Sequence, residues 1–296
     1  MSKTPMTKMK WVEMENRVER ACHAADEITS AMNAPIDPMA FVRSEGGDLL
    51  RCRGEDFGDA FDGQLRYDRT SGRFVMLYNN KYDRGRAEGH HPRTRFSIAH
   101  ELAHYFLDKH RAYLMRGGEH HPSHGEFDTD TVVEREADAF AAAMLMPTRL
   151  AKPLVNEDEL SLALVRRIKE TFDVSLVSAS LRAVQLSDYH AAVVGLCDGR
   201  IAWSFRSKVM RESGFYPPEK ISSLAASASG QWHAFESGGN VDETGASFAK
   251  HWFRTYERAD LDHLHVDEHY IPVISMGILV VLLAISEDQM LFDDDD

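Results

Sequence analysis

Two histidines four residues apart enclose an acid in His100-Glu101-Leu102-Ala103-His104. On a helix this spacing stacks both imidazoles on one face, about one turn apart. Two neutral imidazoles held so are two corners of a tetrahedral Zn2+ site, and the glutamate between them can act as the general base of a hydrolase. A catalytic zinc takes three protein ligands and keeps its fourth position for water. Zinc would acidify that water and polarise a carbonyl, while Glu101 would take the proton and return it to a leaving amine.

The third ligand must come from elsewhere in the chain. His110 follows His104 by six residues, the outer spacing of H-E-x-x-H-x-x-G-x-x-H, but Leu107 stands where that pattern needs glycine. Without a break there, His110 is disfavoured. Glu134 opens a run rich in alanine and methionine that ends at Pro147, and this reads as a helix. Glu134 and Asp138 lie four apart on one face, which suits a ligand carboxylate plus a second carboxylate bonded to a ligand imidazole. Glu136 faces elsewhere and is the fallback. Tyr105, Tyr113, His120, His121 and His124 are nearby donors for an oxyanion, with nothing to choose among them.

Together these residues resemble the ImmA/IrrE family of zinc metallopeptidases. The likeness runs through Arg95, Ala99-His100-Glu101 and His104, then Glu134, Ala137-Asp138, Phe140-Ala141-Ala142 and Leu145-Met146-Pro147. Phe61–Asp68 and Phe74–Asn80 resemble the small sheet before the active helix of that family. The resemblance implies zinc on His100, His104 and Glu134, with Glu101 as catalytic base. It also implies a helix-turn-helix transcriptional repressor as the protein substrate. Family members often carry His after the Leu that closes the active helix; here Asp108 follows Leu107.

Several elements must position these groups. Trp11 to about Met32 reads as a helix, and Asp37 caps a second, short one. Leu49 to Tyr82 reads as a β-meander broken at Gly54, Gly63 and Ser71-Gly72. The active helix is expected from Thr94 to Lys109, with Phe96, Ala99, Ala103 and Phe106 buried. A polar loop from Arg116 to Asp130 could cover the cleft. The fold class is thus α+β: a zincin-like metallopeptidase domain over 1–150, built on a small antiparallel sheet and the active helix. A helical, helix-turn-helix-like segment over 151–187 is expected to pack on it. A small α+β domain over 188–296 follows, which the family resemblance renders GAF-like and sensor-like.

In the helical segment basic and acidic residues balance, so a DNA-reading role for Val174–Leu186 is disfavoured. Beyond Asp188, strands are expected around an Asp198-Gly199 turn, helices over Pro218–Ala228 and Ser247–Arg258, and one or two strands over Ile271–Ile285. That last stretch is too short and interrupted to span a membrane. His263, His265, Asp267 and His269 alternate and would share a strand face, which leaves a second metal site open.

A net charge of −13 opposes direct binding to nucleic acid and suits attraction to a basic protein partner. The Asp293–Asp296 run reads as a solvated tail. Three unspaced cysteines argue against a disulfide framework and for a reducing cytoplasm, and no secretory signal is visible. The leading expectation is a cytoplasmic zinc-dependent endopeptidase. Its rival is a non-catalytic zinc-binding adaptor that merely holds a repressor or ligand, and such a module has no need of a base at Glu101.

Overall fold

The structure, a computed structural model, describes residues 8–118, 132–217, 226–255 and 261–290. Most of the expected cleft-covering loop lies outside the described residues, with His120, His121 and His124. The Asp293–Asp296 tail lies outside them too. The chain divides into two compact units, residues 1–150 with 171–175, and residues 151–170 with 176–296.

The first unit begins with α1 (Lys8–Ile28), α2 (Pro38–Ser44) and α3 (Gly46–Leu49). Asp37 caps α2 by accepting a hydrogen bond from the Met39 amide at 3.0 Å, and Pro38 sits where its missing N–H costs nothing. Strands β1 (Leu50–Glu55), β2 (Gly63–Asp68) and β3 (Arg73–Asn79) form one sheet in the order β1-β3-β2. β2 and β3 are an antiparallel hairpin, but β1 runs parallel to β3. The sheet is therefore mixed, and the expected antiparallel meander is corrected. Alternation along each strand reports which face is buried but not the neighbour or its direction, and β1 enters from α3 beside the far strand of the hairpin.

Helix α4 (Pro92–Phe106) carries His100-Glu101 and His104; α5 (Asp108–Met115) and α6 (Val132–Leu145) follow. α4 packs on β2 and β3 and also on α6, so it is enclosed from two sides. Residues 97–103 and Tyr105 are all buried, whereas Phe96 and Phe106 are only half-buried. The simple two-faced pattern expected for this helix does not hold because it has neighbours on both sides. Ala99, Ala103, Ala137 and Ala141 are wholly enclosed, and side chains this small let α4 and α6 approach closely. Arg95 anchors α4: its guanidinium donates to the carbonyls of Ile36 at 2.8 Å and Phe172 at 3.3 Å.

Helix α7 (Thr148–Val155) leads into α8 (Leu162–Phe172) and α9 (Leu176–Leu186). The 151–187 segment, apart from 171–175, groups with the second unit, and α9 lies against β4 (Ala191–Cys197) and β5 (Arg200–Arg206). An α9 strip of Val177, Ala179, Ser180, Ala183 and Val184 is buried, and so is Arg182, its one basic residue. α9 thus presents no basic side chain to a phosphate backbone.

The rest comprises α10 (Lys208–Glu212), α11 (Ala226–Glu236), β6 (Thr244–Phe248), β7 (His265–Val273), β8 (Ile278–Ala284) and α12 (Glu287–Met290). The sheet is antiparallel throughout, in the order β5-β4-β8-β7-β6. Asp198 and Gly199 both take positive φ in the β4–β5 turn, as a tight hairpin requires. The apolar run from Ile271 is the end of β7 and all of β8, which pair with each other. Among the described residues no helix is long and apolar enough to cross a membrane.

Two expected helices are corrected. The first is placed at Ala226–Glu236, with 218–225 outside the described residues. The second gives way to β6 and a short turn over Ala249–His251, because 244–248 pairs with β7; 256–260 lie outside the described residues. On β7, His265 and Asp267 are exposed and His269 half-buried, while Val266, Glu268 and Tyr270 are buried on the opposite face.

Candidate metal centre

The centre is assembled by two helices, each contributing residues four apart. On α4, His100 and His104 bring their Nε2 atoms to 3.2 Å from each other. On α6, Glu134 places Oε2 3.1 Å from His100 Nε2 and Oε1 3.8 Å from His104 Nε2. Bonds of about 2.0–2.1 Å to a tetrahedral ion imply donor–donor edges of roughly 3.3–3.4 Å. The His100–His104 edge lies just below that value, and the two Glu134 oxygens approach the imidazoles at distances on either side of it. Among the described residues, this is the group of histidines, cysteines and acids that converges closely enough to hold a metal ion. Among the described residues no such group forms around His263, His265, Asp267 and His269.

The donor chemistry fits a divalent cation as well as the spacing does. Burial disfavours charge on His100, yet its hydrogen bonds to the carboxylates of Asp138 and Glu134 outweigh it and raise the pKa to about 10. Two carboxylates facing one enclosed imidazole make the pocket attractive to positive charge. Asp138 Oδ1 lies 2.9 Å from His100 Nδ1, on the side of the ring away from the donor set, and so orients it. Glu101 is almost completely buried beside His100, on the same helix.

His110 reaches the centre by a route the motif spacing does not disclose. α4 ends at Phe106, and Leu107 adopts φ −75° and ψ 112°, an extended conformation open to any L-residue. No glycine is needed for the break, and α5 starts at once with Asp108 in its first turn. His110 then returns to place Nδ1 3.1 Å from His104 Nδ1, on the opposite edge of that ring from the donor set. Its Nε2 lies 3.1 Å from Glu136 Oε2. Arg17 of α1 donates to both oxygens of Glu136, at 2.7 and 2.5 Å. Burial works against charge on Glu136, but Arg17 and then His110 lower its pKa, so it is a carboxylate. Glu136, the fallback ligand, is engaged here instead. Nothing in its local sequence pairs Arg17 with it across 119 positions.

Of the expected oxyanion donors, Tyr105 is committed elsewhere, its hydroxyl donating to Glu45 at 2.5 Å while Arg111 lies 4.5 Å over its ring. Tyr113 is half exposed on α5. The three histidines of the 119–131 stretch lie outside the described residues.

A second polar array, in the other unit, resembles a nucleophile triad. His190 places Nε2 2.9 Å from Ser213 Oγ and Nδ1 2.9 Å from Glu287 Oε1. Ser213 follows the C-terminus of α10, and the amides of Ser213, Gly214 and Phe215 all donate to carbonyls of Val209, Arg211 and Met210. No amide there is left for an oxyanion, so the array serves as a brace between β4, α10 and α12.

Comparison with known proteins fits this geometry. No curated protein matches the chain in sequence. A Mycobacterium tuberculosis transcriptional regulator of solved structure shares the fold at 14% identity, with a TM-score of 0.52 over 95% of this chain and 94% of that one. Residues 62–184 match the family model Peptidase_M78, described as the IrrE N-terminal-like domain, a span that includes α4, α5 and α6. Over that segment the chain is similar to the IrrE N-terminal-like domain of the ImmA/IrrE family.

Proposed function

We propose that the protein is a zinc-dependent endopeptidase that hydrolyses a peptide bond of a protein inside the cytoplasm. The observation that carries this reading is the convergence of His100 Nε2, His104 Nε2 and Glu134 at the edge lengths of a tetrahedral site, with Glu101 between the two histidines. Nitrogen and carboxylate donors in a set of three favour zinc over the hard cations magnesium and calcium, which prefer all-oxygen shells. Bound zinc would supply an acidified water and a Lewis acid for the scissile carbonyl.

The chain's own groups do the rest. Asp138 accepts the Nδ1 proton of His100 and leaves the Nε2 lone pair for the ion. Glu101, buried on the same helix between the two histidines in sequence, would take the proton of the attacking water on its carboxylate and hand it to the leaving amine. The substrate class we infer is a helix-turn-helix repressor, on the strength of family kinship and of an acidic chain drawn to a basic protein. The 188–296 region is taken as a GAF-like sensor module, supported by its antiparallel sheet with the first and last strands, β4 and β8, side by side.

Co-expression with candidate repressors from the genomic neighbourhood, alongside metal analysis of the purified chain, tests this. Wild type and Glu101→Gln should each hold about one zinc, and only wild type should cleave. A repressor that Glu101→Gln cuts as well as wild type does would overturn the role of Glu101 and favour a contaminating protease. Zinc binding without cleavage of any repressor would favour the adaptor reading.

A further inference from the structure

The two ring edges of His104 face different chemistry, and the second edge is not explained by holding an ion. Its Nδ1 meets another imidazole nitrogen, His110 Nδ1, at 3.1 Å. Two facing ring nitrogens can share one proton but cannot both carry one. Beyond His110 the chain of contacts ends on a carboxylate, Glu136, clamped through both oxygens by the Arg17 guanidinium. His110 and Glu136 are both buried, so water does not compete for these positions. The four residues come from α4, α5, α6 and α1 in turn.

We propose that Arg17, Glu136 and His110 form a relay that sets the tautomer and the ring orientation of His104, with His110 as its positioning residue. The proton order follows from the ends inward. Glu136, an acceptor only, requires the proton of His110 on Nε2. His110 Nδ1 is then a bare lone pair and accepts from His104 Nδ1–H. That leaves His104 Nε2 unprotonated, facing His100 Nε2 and Glu134. Every ring is neutral, every buried donor has an acceptor, and the one charge pair lies at the far end with Arg17. The inference rests on the zinc-site reading above and deepens it. His100 takes its orientation from a carboxylate directly, whereas His104 takes it through a second imidazole. Partners of this kind typically contribute about 10–100-fold to metal affinity.

The test uses the full-length chain, freed of metal and titrated with zinc against a competing chelator. His110→Leu should weaken zinc by about 10–100-fold, while His110→Gln, whose amide can accept from His104 and donate to Glu136, should recover most of that loss. In the zinc-loaded wild type, nitrogen-15 NMR of the imidazoles should find His110 protonated at Nε2 and His104 at Nδ1. That measurement needs no variant and stands even if His110→Leu fails to fold. His110 protonated at Nδ1, or undiminished zinc affinity in His110→Leu, would overturn the relay. His104→Ala and Glu134→Ala separate the two levels. Zinc lost from both but retained by His110→Leu removes the relay alone, whereas zinc retained by both removes the site and the relay with it.

Discussion

At the scale of single residues, the centre separates side chains that resemble each other in sequence by what lies on each edge of them. Asp138 and Glu134 are both acids one turn apart on α6, yet one faces Nδ1 of His100 and the other faces Nε2. Losing Asp138 leaves the donor set intact but frees the ring of His100. Asp138→Ala should therefore bind zinc about 10–100-fold more weakly than wild type, measured by chelator competition. Glu134→Ala should lose still more, because it removes a ligand. Tyr105 provides a contrast. Burial first, and then its hydrogen bond to Glu45, raise the hydroxyl's pKa to about 12. Tyr105→Phe should leave both zinc content and any cleavage rate unchanged, at a cost of about 1 kcal/mol in stability for the lost hydrogen bond. A clear fall in cleavage rate at unchanged zinc content would restore Tyr105 as an oxyanion donor.

At the scale of elements, the active helix is capped in an unusual way. His91 Nδ1 accepts a hydrogen bond from the Arg93 amide at 3.2 Å, and Asp83 accepts from the His91 amide at 2.7 Å. Burial first, and then the positive charges of Arg86 and Arg93, lower the His91 pKa from its ordinary 6.5; Asp83 and Asp173 act in the opposite direction without reversing the shift. Between the folded value and 6.5 the unfolded chain binds a proton that the folded chain does not. The stability due to this cap is thus complete above about pH 6.5 and declines as pH falls toward the folded value. His91→Asn keeps an acceptor at the cap but does not titrate there, so its loss of stability from about pH 7 to pH 5 should be shallower than that of wild type. Parallel slopes in urea melts across that range would exclude the mechanism. The same helix shows what a sequence can disclose. Spacings of four within α4 and within α6 are local, so His100, His104, Glu134 and Asp138 are legible as two pairs from residue order alone. The break at Leu107 is not legible, because an ordinary residue in an ordinary extended conformation makes it, and the approach of His110 to His104 is missed as a result. The parallel pairing of β1 with β3 and the hold of Arg17 on Glu136 are long-range choices that leave no local periodicity.

At the scale of the whole molecule, the chain carries two cores, and the candidate metal centre draws on only the first of them. The second has its own polar anchor in Glu268, which has no exposed surface. It accepts from Trp252 Nε1 at 2.7 Å, from Ser247 Oγ at 2.5 Å and from the Tyr270 hydroxyl. An enclosed carboxylate with three donors is costly to remove, because the donors left behind lose an acceptor at about 1 kcal/mol or more each. Glu268→Ala should accordingly destabilise the second unit by on the order of 3 kcal/mol. Phe140→Ala, in the fully buried heart of α6, should cost the first unit about 3–5 kcal/mol through the cavity it opens. Units that each bury their own core unfold as separable steps unless their interface is extensive. Calorimetry of the zinc-loaded chain should then show two transitions, with Glu268→Ala lowering one and Phe140→Ala the other. Only the step moved by Phe140→Ala should shift with added zinc, since a ligand stabilises the unit that binds it. If both variants and zinc displaced one and the same transition, the two cores would be a single cooperative body, and a signal at the second sheet would have a direct thermodynamic route to the metal site.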